Sequence, residues 1–302
     1  MAKVGIPLFF ACVLGAGLSL VCVSFASDTI IVEENVTYGR VDDVELKLDV
    51  ARPKNGPGLF PAIVFIHGGG WAGGERSSYK GLIRKAAERG YFAATISYRL
   101  TGFDPQNNTG KTPFPAQIQD CKCAIRWVRS VASKYSIDPE RIGVTGGSAG
   151  GHLSLLVALM DDKTGPESTG GHAEFSSQVC AVANYCGVTD VALEYQDMEQ
   201  VRPFLQALCI GTPESNPEGY RIASPVNHVS EDDPPVLTLH GDKDELVPVS
   251  QAYAIDKALK DAGLPHELVI LKGEGHAIKA PEADVAFWSF IEKHVKGKSS
   301  PN

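Results

Sequence analysis

The sequence predicts an α/β protein: a mostly parallel, eight-stranded sheet with helices on both faces and a small cap insertion. Three observations carry this. A pair of strand-like runs opens the domain and then gives way to strands and helices in regular alternation, the order that builds a parallel sheet covered on both sides. The strands after that pair are short, continuous apolar runs, as expected where both faces of a strand are buried. The 302 residues, 43% hydrophobic and 21% charged, suffice for one large domain with a well-buried core and contain no interior linker.

Met1 and Lys3 precede a long apolar run from Val4 to Phe25, and Ser24-Phe25-Ala26 then sets small residues at the −3 and −1 positions ahead of Ser27 and Asp28. This is the pattern of a secretory signal peptide over residues 1–26, leaving a domain over 27–302 and an exported, secreted or periplasmic protein. The run is also about long enough to cross a bilayer, so an N-terminal membrane anchor is the alternative. A buried core helix fits poorly, because no polar face interrupts the run.

The domain opens with strands at Ile30 to Arg40 and Val44 to Val50, joined through Asp42-Asp43. Val44, Leu46, Leu48 and Val50 alternate with Glu45, Lys47 and Asp49, the period of a half-buried strand in a hairpin. Pro61 to Ile66 is the first continuous apolar strand. A helix over about Tyr79 to Arg89, closed by Gly90, leads to the strand Tyr91 to Tyr98. A long helix from about Phe114 to Tyr135 carries the stripe Ile118, Cys121, Ala124, Ile125, Val128 and Val131. Ser136 to Pro139 stops it ahead of a strand at Arg141 to Thr145 and an apolar helix at Ser148 to Met160. Strands at Val179 to Tyr185, Pro235 to His240 and Leu268 to Leu271 follow, with helices at Val249 to Ala262 and Pro281 to Val295 and an unstructured tail from Gly297. Between Gly187 and Asp233 the sequence is polar and proline-rich with one helix, near Val201 to Leu208. That is long for a plain connection, so it is expected to pack as a cap near the carboxyl ends of the strands, where sites in such sheets gather.

The net charge of −8, with no basic run, argues against a nucleic-acid partner and favours a neutral or cationic substrate. Five of the seven cysteines lie beyond the leader: Cys121, Cys123, Cys180, Cys186 and Cys209. Export permits disulfides, and Cys186 with Cys209 or Cys180 with Cys186 are the candidate pairs. Cys121 and Cys123 diverge on a helix, and no second Cys/His pair accompanies them, which disfavours zinc. Small buried hydrophobes are the alternative reading for most of the five.

Gly146-Gly147-Ser148-Ala149-Gly150-Gly151 follows a strand and opens a helix, the context of a nucleophile elbow that exposes Ser148 at the sheet top. A helix-capping serine is the plainer alternative, while phosphate and dinucleotide loops fail on spacing. His67-Gly68-Gly69-Gly70-Trp71 follows the third strand, where Gly-rich backbone can aim amides at an oxyanion with the Ala149 N–H as partner donor. His67 itself reads as a loop organiser, and Trp71 either lines the site or is simply buried. After the seventh strand, Asp242 and Asp244 compete as the carboxylate that orients an imidazole, and Asp244, further past the strand end, is favoured. Gly273-Glu274-Gly275-His276 follows the last strand, and of the eight histidines only His276 fits the general-base position in the order serine, aspartate, histidine.

These four segments together resemble the α/β-hydrolase superfamily. Pro115 to Asp120 and Ser136 to Ile142 look especially like the secreted carboxylesterase group of bacterial acetyl and feruloyl/acetylxylan esterases, and the chain is also similar to hormone-sensitive-lipase-like esterases. The resemblance covers about residues 35 to 295. It implies a Ser148, Asp244, His276 triad, oxyanion donors from Gly69, Gly70 and Ala149, no metal or organic cofactor, and an ester of a small molecule or plant polysaccharide as substrate. The chain departs from the lipase-like group in having no long helical N-terminal cap, and from prolyl-oligopeptidase-like peptidases in having no propeller. An exopeptidase or amidase of the same superfamily, and a hydrolase-fold binding protein, are the competing readings.

Overall fold

The computed structural model describes residues 29–56, 58–104, 106, 109–161 and 169–297. The leader or anchor predicted over residues 1–26, and the predicted tail past Gly297, lie outside the described residues. In chain order the elements are β1 (Ile30–Val41), β2 (Val44–Pro53), β3 (Phe60–Ile66), α1 (Lys80–Glu88), β4 (Phe92–Ile96) and a small hairpin of β5 (Phe103–Asp104) and β6 (Thr109–Gly110). Then come α2 (Ala116–Ser130), α3 (Ala132–Tyr135), β7 (Ile137–Gly147), α4 (Ala149–Leu159), β8 (Ala181–Tyr185), α5 (Val191–Asp197), α6 (Arg202–Cys209) and α7 (Pro217–Ala223). The chain closes with β9 (Val236–Gly241), α8 (Ser250–Asp261), β10 (His266–Leu271) and α9 (Pro281–Ile291).

Eight strands form one sheet in the order β1-β2-β4-β3-β7-β8-β9-β10. The hairpin β1–β2 is antiparallel and β2 meets β4 antiparallel, while every pairing from β4 to β10 is parallel. The predicted class holds, and the β1–β2 turn falls at Asp42-Asp43.

Side-chain alternation along the parallel strands explains their unbroken apolarity. Ala62, Val64 and Ile66 of β3 join one buried layer with Ile118, Ile125, Leu153 and Leu156 from α2 and α4. Ile63 and Phe65 point the other way, into a second layer with Ile83, Phe287 and Trp288 from α1 and α9. Each such side chain removed from water contributes about 1.5–3 kcal/mol, so the sheet is held from both faces.

The structure differs from expectation in four places. The long helix breaks at Val131, leaving α2 and α3, and Ser136 ends it in the left-handed region at φ 54°. Residue 137 then enters β7 at once, four residues earlier than predicted. Ile137 pairs with Phe60 and the register shifts before Ala62, so Asp138 and Pro139 sit at an irregularity where Pro costs no ladder bond. The stretch predicted to hold one helix between Gly187 and Asp233 holds three, α5, α6 and α7, plus two short 3₁₀ turns. Two of these start on side-chain caps rather than on apolar periodicity: Asp190 accepts from the Ala192 and Leu193 amides, and Asn216 from the Gly219 amide. Finally, neither candidate disulfide forms. The five cysteines are buried thiols, and burial pushes Cys186 and Cys209 up to about 12, which keeps them protonated. Among the described residues no helix is long and apolar enough to cross a membrane.

Candidate active site

The chain leaves β3 for β4 on one side and later returns to place β7 on the other side of β3. Strand order reverses there, and the loops that leave the carboxyl ends of β3 and β7 diverge to open a crevice. Both glycine-rich motifs emerge into it.

Ser148 joins β7 to α4 at φ 57°, ψ −126°, a region that non-glycine residues occupy only under constraint, at about 1–3 kcal/mol. The constraint is visible. The Ser148 amide donates to the Tyr185 carbonyl at 2.8 Å, and the Ser148 carbonyl accepts the His152 amide at 3.0 Å as α4 begins. Gly146 and Gly150 lie so close to β3 that a Cβ on either would overlap the Ile66 carbonyl oxygen. Close backbone approach, not flexibility, is what glycine supplies on either side of the serine.

In the loop after β3, Gly69, Gly70 and Trp71 all have positive φ, of 118°, 57° and 58°. The Gly69 carbonyl accepts the Gly73 amide at 2.9 Å and the Ala72 amide at 3.2 Å, closing the turn. Trp71 is buried and donates Nε1–H to His152 Nδ1 at 3.0 Å. An accepting Nδ1 leaves the proton on Nε2, which donates to the Ala223 carbonyl at 2.7 Å. Burial drives the His152 pKa down to about 4, so the ring stays neutral. This histidine ties the glycine loop and α4 to the end of α7. His67 keeps the loop-organising place expected of it: Nδ1 lies 2.8 Å from the Gly68 carbonyl, and the ring stacks on Tyr98.

Between the two candidate carboxylates the geometry is clear. His276 Nδ1 lies 2.8 Å from Asp244 Oδ2, and Asp244 Oδ1 accepts the Leu246 and Val247 amides, both at 2.9 Å. Asp242 instead accepts the Gly273 amide at 2.6 Å and braces the loop. Burial acts to raise the Asp244 pKa. The His276 hydrogen bond and the two amides outweigh it and hold the carboxyl below its ordinary range.

Two cavities meet at Ser148 and His276. The larger, about 540 Å³, is walled by Phe65, Tyr79 and Tyr185 and by the chain following His276, from Ala277 to Asp284. The smaller, about 220 Å³, carries Gly69, Gly70 and Ala149 on one wall and Phe204, Leu205 and Val247 on another. The segment expected as a cap thus contributes directly to the smaller cavity. So does Glu194 of α5, a residue with no sequence signal beyond its place in a polar stretch. Cys186, His240 and Asp244 are the group among the described residues compact enough to hold a metal, their candidate ligand atoms lying within 4.8 Å of one another. The protonated thiol and the three hydrogen bonds already accepted by Asp244 suit it poorly to that use.

A family model described as BD-FAE matches residues 48–259. The chain is 35% identical over 215 residues to esterase LipQ of Mycobacterium tuberculosis, an alignment covering 70% of this chain and 49% of that protein. It spans about half the length of the curated relatives it matches. A truncated carbohydrate esterase from gut microbiota superposes with a TM-score of 0.76 at 28% identity, covering 90% of this chain and 99% of that one. Esterase 2 of Thermogutta terrifontis, in a form phosphonylated by cyclosarin, superposes with a TM-score of 0.67 at 29% identity, covering 85% and 90% of the two chains.

Proposed function

The chain belongs to the BD-FAE family of the α/β-hydrolase superfamily, and on that premise we propose that it is a serine carboxylesterase working through Ser148, His276 and Asp244. The observation that carries this reading is a half-buried His276, bonded to the buried Asp244 carboxylate and lining the same cavities as a serine held at a strained, glycine-flanked elbow.

The roles follow from the geometry. Asp244 fixes His276 with the proton on Nδ1, so Nε2 is the nitrogen left to take the Ser148 proton as the hydroxyl attacks the ester carbonyl. Gly69, Gly70 and Ala149 line the smaller cavity beside Ser148, and their amides would hold the oxyanion of the tetrahedral intermediate. His276 then returns the proton to the departing alcohol, and water attacks the acyl-enzyme by the same relay. The leaving oxygen must face His276. The larger cavity, built from the chain that follows His276, is therefore assigned to the alcohol and the smaller one to the acyl group. The wide alcohol side suits an acetylated or feruloylated polysaccharide. The likeness to a carbohydrate esterase and the leader pattern, which points to export, support that choice.

Purified protein should hydrolyse p-nitrophenyl acetate, and Ser148→Ala should lower the rate to background; activity persisting in that variant would remove the nucleophile assignment. Acetylated xylan and methyl ferulate should outpace aminoacyl anilides. Faster anilide cleavage would replace the ester reading with an amidase one.

A further inference from the structure

The acyl side of the site contains a carboxyl group that the acyl-transfer chemistry does not use. Glu194 lies on α5 with its side chain 1% exposed, in the wall of the 220 Å³ cavity that also holds Ser148 and His276. Its Oε2 has no hydrogen-bond partner among the described residues. Among the described residues it is the one carboxyl in walls that, Ser148 and His276 apart, present backbone and groups such as Val188, Val201, Phe204 and Leu246. A buried, unmatched carboxyl oxygen in an apolar pocket costs free energy that a bound partner would recover.

The helix that carries Glu194 is also held in place. Gln251 Oε1 accepts the Thr189 and Asp190 amides, both at 2.8 Å, and its Nε2 donates to the Asp190 carbonyl at 3.0 Å. Asp190 in turn caps α5. The helix that carries Glu194 is thereby pinned to α8 at its start, so the residue is borne on a fixed element of the cavity wall.

Resting on the acyl-transfer reading of Ser148, we propose that Glu194 determines acyl specificity by hydrogen-bonding a hydroxyl carried on a short acyl chain, so that among acyl groups of equal length the ester of the hydroxy acid is preferred. The charge state of the group fits a hydroxyl better than an amine. Burial, then the nearby carboxylates of Asp244 and Asp197, push Glu194 up to about 8. At neutral pH it is mostly the protonated acid, which offers one donor and one acceptor, and a hydroxyl complements both. An ammonium would need the ionised form, which burial and both aspartates oppose.

The test compares kcat/KM for methyl butyrate, methyl 3-hydroxybutyrate and methyl 3-aminobutyrate in the wild type, Glu194→Gln and Glu194→Leu. Ratios taken within each variant cancel any loss of folded protein, and comparing those ratios between variants cancels any intrinsic difference between the esters. The wild type should favour the hydroxy ester by roughly tenfold or more. Glu194→Leu should bring the ratio to one or below, and Glu194→Gln, which keeps a donor and an acceptor, should retain part of the preference. The same ratio in wild type and Glu194→Leu overturns the proposal, as does an amino ester that outpaces both others. The Ser148→Ala result on p-nitrophenyl acetate, taken first, separates the two failures. If activity does not depend on Ser148, the acyl-transfer reading falls and this one with it; if it does, an unchanged ratio removes only the role of Glu194.

Discussion

Asp244 and Asp242 lie two residues apart on the same loop, yet only Asp244 meets an imidazole. Asp244→Asn should reduce kcat on p-nitrophenyl acetate by about 10³–10⁴-fold, because an amide cannot hold the Nδ1-protonated tautomer or balance the imidazolium. Asp242→Asn should cost well under tenfold, and a reversed pair of rates would reassign the acid. His152 gives a prediction for stability. Its pKa is depressed to about 4 in the fold against an unfolded value near 6.5, so the unfolded chain binds more protons between these values. The contribution is fully present above pH 6.5 and is lost as pH falls toward 4, on the order of 3 kcal/mol in all. Urea midpoints of the wild type should fall across that window, and His152→Gln should show a flatter slope. At this scale the sequence pointed to Ser148, Asp244, His276, Gly69 and Gly70 as candidates because each sits in a motif after a strand end. His152 and Glu194 were not legible. Their importance depends on Trp71, Ala223 and a cavity wall that are distant along the chain.

The two glycines that flank the elbow make an element-level prediction. An alanine at Gly150 would place a methyl against the Ile66 carbonyl and force β3 and α4 apart, so Gly150→Ala should cost about 3 kcal/mol or more and abolish activity. Gly81, inside α1 with open space around its Cβ position, is the contrasting case. Gly81→Ala should stabilise by up to about 1 kcal/mol, read as a raised thermal midpoint. The same contrast explains which elements periodicity could reveal. α2, α4, α8 and the buried strands are long or uniformly apolar, and their positions were readable to within a few residues. α5 and α7 are seven residues each and depend on the Asp190 and Asn216 caps and on packing, so hydrophobic spacing alone did not expose them. The early start of β7 was hidden by Pro139, which reads as a strand breaker until the register shift beside it is known.

At the scale of the whole molecule, the sheet is clamped between two apolar layers, while the walls of the smaller cavity come from the β3 and β7 loops, the segment carrying α5 and α6, and the loops after β9 and β10. Acyl-chain length should therefore respond to that segment without disturbing the sheet. Val201→Trp should narrow the smaller cavity and lower the kcat/KM for p-nitrophenyl butyrate relative to acetate by about tenfold. An unchanged ratio would mean that the acyl chain lies in the larger cavity. A different consequence comes from the thiols. No disulfide cross-links the described residues, and their five cysteines are buried as free thiols. The folded protein should therefore melt at the same temperature with or without dithiothreitol. Its vulnerability to oxidants should instead be confined to the refolding chain, where five exposed sulfurs could couple wrongly before the core closes over them.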